Sequence, residues 1–329
     1  MRKPTRRGLI VAGAGALAAP ALFTTSSRAQ GAFPNKPIRI IVPYPAGGQT
    51  DGIARVYGDY LGRTLGTTVV VENKGGAGGT IGVAEVKRAA PDGYTILCTI
   101  SSSLIQNRVT VKDLPYDPDK DFTYLAMTTS RGGPLVAAEK TGATNLKQFV
   151  EYARKADKLN FGAYGPGSTP QMLIETMAKQ YGFKVEVVQY RGEAPMWADV
   201  AAQQLDGAAG SPAGAAAVIA SGKGRAVAMM GDRLPAYPDV ATMAEQGAVG
   251  GFYETRAFAV FAVPAATPKE ISKKLSDTLF EAGTDEKVKS LMEKYLIVGP
   301  LDFEATNKVF KRDTEIMLKV MKEIGIKAQ

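Results

Sequence analysis

Pro43-Tyr44-Pro45-Ala46-Gly47-Gly48-Gln49-Thr50-Asp51 decides how the rest of this chain is read. It follows an apolar run, Ile38 to Val42, that predicts a buried strand. It precedes a run in which Ile53, Val56, Tyr57, Tyr60, Leu61 and Leu65 fall at helical spacing. The stretch therefore reads as a glycine-rich turn from strand to helix, with Thr50 or Asp51 placed to cap the helix. Unpaired N–H groups and the positive end of the helix dipole converge at such a turn. An anion suits that place, a carboxylate as well as a phosphate. A tight turn without a ligand explains the glycines equally well.

The order returns further on. Leu159 to Ala163 predicts a strand, and Tyr164-Gly165-Pro166-Gly167-Ser168-Thr169-Pro170-Gln171 leads into a helix with Met172, Leu173, Met177 and Tyr181 inward. Ser168 and Gln171 have capping-box spacing. Two such turns in different domains suggest facing anion sites. Ser101-Ser102-Ser103, after a predicted strand Tyr94 to Thr99, repeats the order strand, polar turn, helix. So does Ser211-Pro212, after the small-residue strand Gly207 to Gly210. The hydroxyls of Ser101 to Ser103 are expected to cap the helix or touch a ligand, and the small residues before Ser211 to let a ligand approach the backbone. Asn73 to Thr80 is glycine-rich too, but Ile81 stands where a dinucleotide loop needs its third glycine. That stretch reads as a turn where backbone packs closely.

Sustained alternation of strand and helix predicts an α/β fold with largely parallel sheets covered on both faces. Extended runs on either side of Thr128 to Pro134, and from Phe252 to Val263, place two crossovers near residues 130 and 253. Two lobes follow, 30–130 with 253–329, and 131–252, with a cleft beyond the strands' C-terminal ends. A short helix is expected over Pro238 to Gln246. Thr267-Pro268-Lys269-Glu270 reads as a capping box with proline at the first helical position.

Charge and composition exclude several functions. The 329 residues carry a net charge of +8, but Arg2, Lys3, Arg6, Arg7 and Arg28 precede residue 30 with no acid among them. Removing five from +8 leaves +3, with no basic run that would follow a nucleic-acid backbone. Twin Arg6-Arg7, the Gly/Ala-rich apolar stretch Leu9 to Phe23 and Ser27-Arg28-Ala29 read as a cleavable export signal, residues 1–29, of twin-arginine type. Histidine is absent and cysteine occurs once, at Cys98. That excludes Ser-His-Asp and Cys-His chemistry and every histidine-ligated metal. Neither a metal nor a cofactor is expected.

Ile38 to Asp51 resembles the opening of Bug-type solute receptors, the periplasmic binding proteins of tripartite tricarboxylate transporters. The resemblance continues through Val69 to Gly79, Ala90 to Thr95, Leu114 to Pro118, Gly165 to Ser168 and Ala265 to Pro268. It implies a hinged, type II periplasmic-binding-protein-like fold that closes on a small organic acid. By resemblance, two pincer loops grip one carboxylate: Tyr44, Ala46, Gly47, Gly48, Thr50 and Asp51 in one, and Gly167, Ser168 and Thr169 in the other. Ser101 and Ser211 are further candidate contacts, and Arg131 and Arg256 candidate partners for a distal charge. Gln171, Gly210-Ser211 and Phe258 depart from the family's usual histidine, acidic or amide pair, and tryptophan. A di- or tricarboxylate or an aromatic carboxylate would fit. A non-enzymatic monomer that meets membrane transporter subunits transiently is expected. A sensing subunit for a two-component kinase is the alternative, ahead of an exported enzyme.

Overall fold

The computed structural model describes residues 33–328. The predicted export signal lies outside them. The chain opens with β1 (Ile38–Val42), α1 (Gln49–Leu65), β2 (Val69–Asn73), α2 (Thr80–Lys87), β3 (Thr95–Ile100), α3 (Asn107–Thr110) and β4 (Phe122–Ser130). It continues through β5 (Gly132–Ala138), α4 (Leu146–Lys155), β6 (Leu159–Ala163), α5 (Thr169–Tyr181), β7 (Val185–Gln189) and α6 (Glu193–Ala201). Then come β8 (Gly207–Ala209), α7 (Pro212–Ala220), β9 (Gly224–Gly231), β10 (Phe258–Pro264), α8 (Lys269–Glu281), α9 (Glu286–Tyr295), β11 (Ile297–Leu301) and α10 (Phe303–Glu323).

Two sheets result. The first has six strands in the order β11-β4-β10-β3-β1-β2, and the second has five, β7-β6-β8-β5-β9. Every residue of β10 is buried, so helices cover both faces of its sheet. The sheets are mixed rather than largely parallel. β1 pairs parallel with β2 and β3, and β6 with β7 and β8. The strands that carry the chain between sheets run the other way: β10 is antiparallel to β3 and β4, and β5 to β8 and β9. A strand that continues directly from one sheet into the next has no crossover helix to reverse it, so it need not follow the βα direction.

The outward crossing is tighter than the predicted stretch Thr128 to Pro134. β4 ends at Ser130 and β5 starts at Gly132, with Arg131 alone between them. Its N–H donates to the Leu296 carbonyl, and its own carbonyl accepts from the Asp232 N–H. On the return, only Phe258–Pro264 of the extended run forms a strand, and Gly251–Glu254 makes a single helical turn. The helix expected over Pro238 to Gln246 is a series of turns. Glu245 there accepts from the Thr242 N–H and from Arg233, side-chain bonds that compete with a helical ladder.

One cluster of buried side chains joins the two sheets. Leu97 and Met127 belong to the first, Phe161 and Leu135 to the second, and Phe310, Met317 and Met321 of α10 lie among them. Asp313 on α10 is 1% exposed, and its Oδ2 has no partner. Burial raises its carboxyl pKa above the usual range, although Arg312 and the Arg256 N–H pull the other way. A carboxyl raised on folding destabilises the fold above its folded pKa, and the penalty vanishes below the unfolded one. Asp313→Asn should therefore raise the melting temperature at about pH 8 and leave it unchanged near about pH 3. A variant no more stable than wild type at the higher pH would contradict this.

Candidate ligand site

β1 and β6 each feed a glycine turn and a helix, and the two turns are built alike. In the first, Gly47 has φ +86° and its N–H donates to Asp51 Oδ2 at 2.9 Å. In the second, Gly167 has φ +71° and its N–H donates to Gln171 Oε1 at 2.9 Å. Each acceptor sits four residues on, and each is held from the next strand. Asn73, the last residue of β2, donates to Asp51 Oδ1 at 3.0 Å and to the Tyr44 carbonyl at 3.1 Å. Gln189, the last residue of β7, donates to Gln171 Oε1 at 3.3 Å and accepts from the Gly165 N–H at 3.0 Å. The strand register explains the match, since Val42 pairs with Asn73 and Ala163 with Gln189.

These bonds change the roles expected of several residues. Gly48 caps α1, without a side-chain cap bond, so neither Thr50 nor Asp51 is the cap. Asp51 is 4% exposed and its carboxylate faces its own turn, where Arg55 completes the set at 3.0 Å. Burial alone would raise its pKa; Arg55, the Gly47 N–H and Asn73 together outweigh that and hold it below the usual range. Asp51 therefore braces the turn. Ser168 does cap α5, but its hydroxyl makes no cap bond and is buried without a partner, and Gln171 reaches Gly167 instead of Ser168. Ser101 likewise stands at the N-cap position of the helical turn after β3, without a side-chain cap bond. Ser102 and Ser103 hydrogen-bond the Tyr44 hydroxyl, which fastens the first turn to the end of β3. Pro268 itself caps α8, and the Thr267 hydroxyl has no partner.

A cavity of about 410 Å³ opens between the strand ends of the two sheets. That is within the range of small-molecule sites. Thr50, in the first turn of α1, and Thr169 and Pro170, the first two residues of α5, both line it. The free N–H groups of Thr50 and Thr169 give one donor from each helix start, Pro170 having none. Ser101, Thr128, Tyr164, Ser211 and Arg256 line it as well, with an apolar share from Ile53, Met230, Phe258 and Ile297. Thr128 is 1% exposed and its hydroxyl is unpaired.

Tyr44, Ala46, Gly47, Gly48, Asp51, Gly167 and Ser168 do not line this cavity, and Ala46, Gly47 and Gly48 are exposed. Gly167 instead packs on the C-terminal helix: a Cβ there would lie 3.1 Å from Met321 Cε and 3.3 Å from Thr110 Cγ2. Arg131 does not line the cavity. Arg256 does, but Asp232 pairs with its Nη2, while its Nε is buried without a partner. Cys98 of β3 is buried, its thiol 3.9 Å from the Thr50 carbonyl, and burial pushes its pKa up.

Glu193, Asn73 and Gln189 are the residues that sequence reasoning missed. Glu193 opens α6 and lines the cavity. It accepts from the Ser211 N–H at 3.1 Å, the Ser211 hydroxyl at 2.7 Å and Trp197 Nε1 at 3.2 Å. Ser211 caps α7, accepting from the Gly214 N–H at 3.1 Å. Gly214 makes the room, for a Cβ there would lie 2.1 Å from Glu193 Oε2. Gly214→Ala should displace that carboxylate and cost about 1–3 kcal/mol by unpairing Ser211 and Trp197. Trp197 is the one tryptophan of the chain, so its emission reports the change directly. An unaltered spectrum in a folded variant would contradict the assigned packing.

The chain belongs to the receptor family of tripartite tricarboxylate transporters: the family model, TctC, matches residues 53–325. Members of this family are periplasmic binding proteins. A UPF0065 protein from a Pseudomonas species is 31% identical over 313 residues, 94% of this chain and 93% of its own. The structure of the periplasmic binding protein BugD aligns at TM-score 0.69 and 30% identity, over 90% of this chain and 100% of that one. MatC from Rhodopseudomonas palustris, with bound malate, aligns at TM-score 0.66 and 25% identity, over 87% and 100%.

Proposed function

We propose that this chain is an exported periplasmic receptor that captures a small carboxylated solute and delivers it to a membrane transporter. The observation that carries the reading is the cavity shared by Thr50 and Thr169, each in the first turn of a helix and each from a different sheet. One carboxylate set between them would meet N–H donors and two helix dipoles. Charge-assisted hydrogen bonds contribute about 1.5–3 kcal/mol each, and micromolar binding needs about 8 kcal/mol in all. The malate-bound relative supports an organic acid as the ligand.

In this reading residues 30–130 with 253–329 form one lobe and 131–252 the other. Arg131 and the segment from Asp232 to Ala257 would be the hinge. Asp51, Asn73, Gln171 and Gln189 brace the two cradles, while Thr50, Ser101, Thr169 and Ser211 face the solute. Closure presents a changed surface to the transporter. The protein acts as a monomer without cofactor and carries out no chemistry, for it has no histidine and its one thiol is buried.

A thermal-shift screen of organic acids tests the proposal. At a hundred times its dissociation constant a true ligand stabilises the fold by about 2.7 kcal/mol. Thr169→Trp, which would fill the cradle, should abolish that shift. A panel in which no carboxylate moves the melting temperature would overturn the reading, as would turnover of any of them.

A further inference from the structure

Four observations bear on the far end of the ligand. First, Glu193 is a carboxylate in the cavity wall, and no ion pair to it is found among the described residues. Its partners are neutral donors: Ser211 through N–H and hydroxyl, and Trp197 through its indole N–H. Second, its seat is built to hold it there. A Cβ at Gly210 would lie 3.1 Å from Glu193, and one at Gly214 closer still. Third, the cation that also lines the cavity, Arg256, is already paired with Asp232. Fourth, Thr128 lines the cavity almost fully buried, with a hydroxyl that has no protein partner.

We infer that the cavity selects an acid with a single carboxylate whose other end donates hydrogen bonds, as an amine or ammonium, amide or hydroxyl, and that Glu193 rejects a second carboxylate. The inference rests on the carboxylate-cradle reading above. The first carboxylate of a ligand takes the starts of α1 and α5. A second one finds, among the described residues of the wall, no cation without an ion-pair partner, and meets the standing negative charge of Glu193 in a cleft between protein surfaces. Like charges there repel more strongly than in water. A donor group in the same place gains from that charge, since Glu193 Oε1 accepts only the shared bond from the Ser211 N–H and keeps lone-pair capacity. Tyr164 lines the same region, and burial together with the Glu193 charge raises its phenol pKa, so it stays a neutral donor or acceptor for the ligand. The apolar residues between the ends suit an uncharged body.

Two matched series test this by titration calorimetry: hexanoate, 6-aminohexanoate and adipate, and benzoate, 4-aminobenzoate and terephthalate. In the better-bound series the donor-bearing acid should bind about tenfold or more tighter than the dianion. Glu193→Gln keeps the side chain's length and should shift that ratio by about tenfold toward the dianion. A bracing role alone would weaken all three acids together and leave the ratio unmoved. Adipate or terephthalate binding as tightly as its donor-bearing analogue in wild type would overturn the inference while leaving the carboxylate reading intact. An unmoved ratio in a folded Glu193→Gln would overturn it too. If none of the six binds, nor any acid of the wider panel, the carboxylate reading falls and the inference with it.

Discussion

Asp51→Ala should destabilise the protein by about 3–5 kcal/mol and weaken binding of any carboxylate by at least about tenfold. The expectation comes from what the carboxylate holds. Gly47, Asn73 and Arg55 all donate to it, and it is almost fully buried. Hydrogen bonds to a charged acceptor contribute about 1.5–3 kcal/mol each, and Gly47 and Asn73 would both lose this acceptor, Asn73 keeping only the Tyr44 carbonyl. The Arg55 share is smaller, because its guanidinium is 52% exposed and can return to water. Once the turn loosens, Gln49 and Thr50 no longer start α1 in a fixed position, and the donors of the first cradle are lost with them. The acid limb of the stability curve supplies a second readout. A carboxyl held low on folding stabilises above its unfolded value, near about 3.9, and that contribution fades as pH falls through the folded value. Wild type should lose this increment below about pH 4, and Asp51→Ala should lack it. Equal acid limbs in urea melts of the two proteins would sink the assigned role.

Gly132→Ala should cost at least about 4 kcal/mol and open the edge of the second sheet. Gly132 follows directly on the single residue between the sheets, at φ +114°. A Cβ there would lie 1.8 Å from the Met230 carbonyl oxygen, a backbone atom that cannot swing aside. The pairing of Gly132 with Gly231 would have to separate, and the crossing with it. Gly142→Ala is the control. It has a positive φ of +66° but nothing within 4 Å of its Cβ, so backbone strain of about 1–3 kcal/mol is its whole cost. Chemical denaturation of both variants separates collision from strain. Similar losses would mean that the crossing relaxes more freely than its geometry allows.

Much of the fold was legible from local pattern. The apolar runs at Ile38 and Leu159 and the helical spacing after each glycine turn need only neighbours along the chain. Asn145 capping α4 and Asp285 capping α9 are equally local. What escaped depends on register and on contacts across the fold. Asn73 and Gln189 act on turns that lie 22 and 18 residues away, and only strand pairing brings them there. Glu193 reads as an ordinary first-turn acid until Gly210 and Gly214 are seen to clear a seat for it. The serines after β3 read as caps or ligand contacts, yet Tyr44 arrives from the turn after β1 to bond them. The sheets read as largely parallel because the alternation of strand and helix sets the direction of βα units but says nothing of β5 and β10, the strands at the two crossovers.

The buried thiol of Cys98 has a practical reach. Because it sits under the Thr50 carbonyl and is held protonated, maleimide reagents at neutral pH should leave the folded protein unmodified. Dyes attached through Thr64→Cys on α1 and Lys184→Cys beside β7, both at exposed positions, would then carry no background label. Energy transfer between them would follow the angle between the sheets in single molecules, as each acid is added.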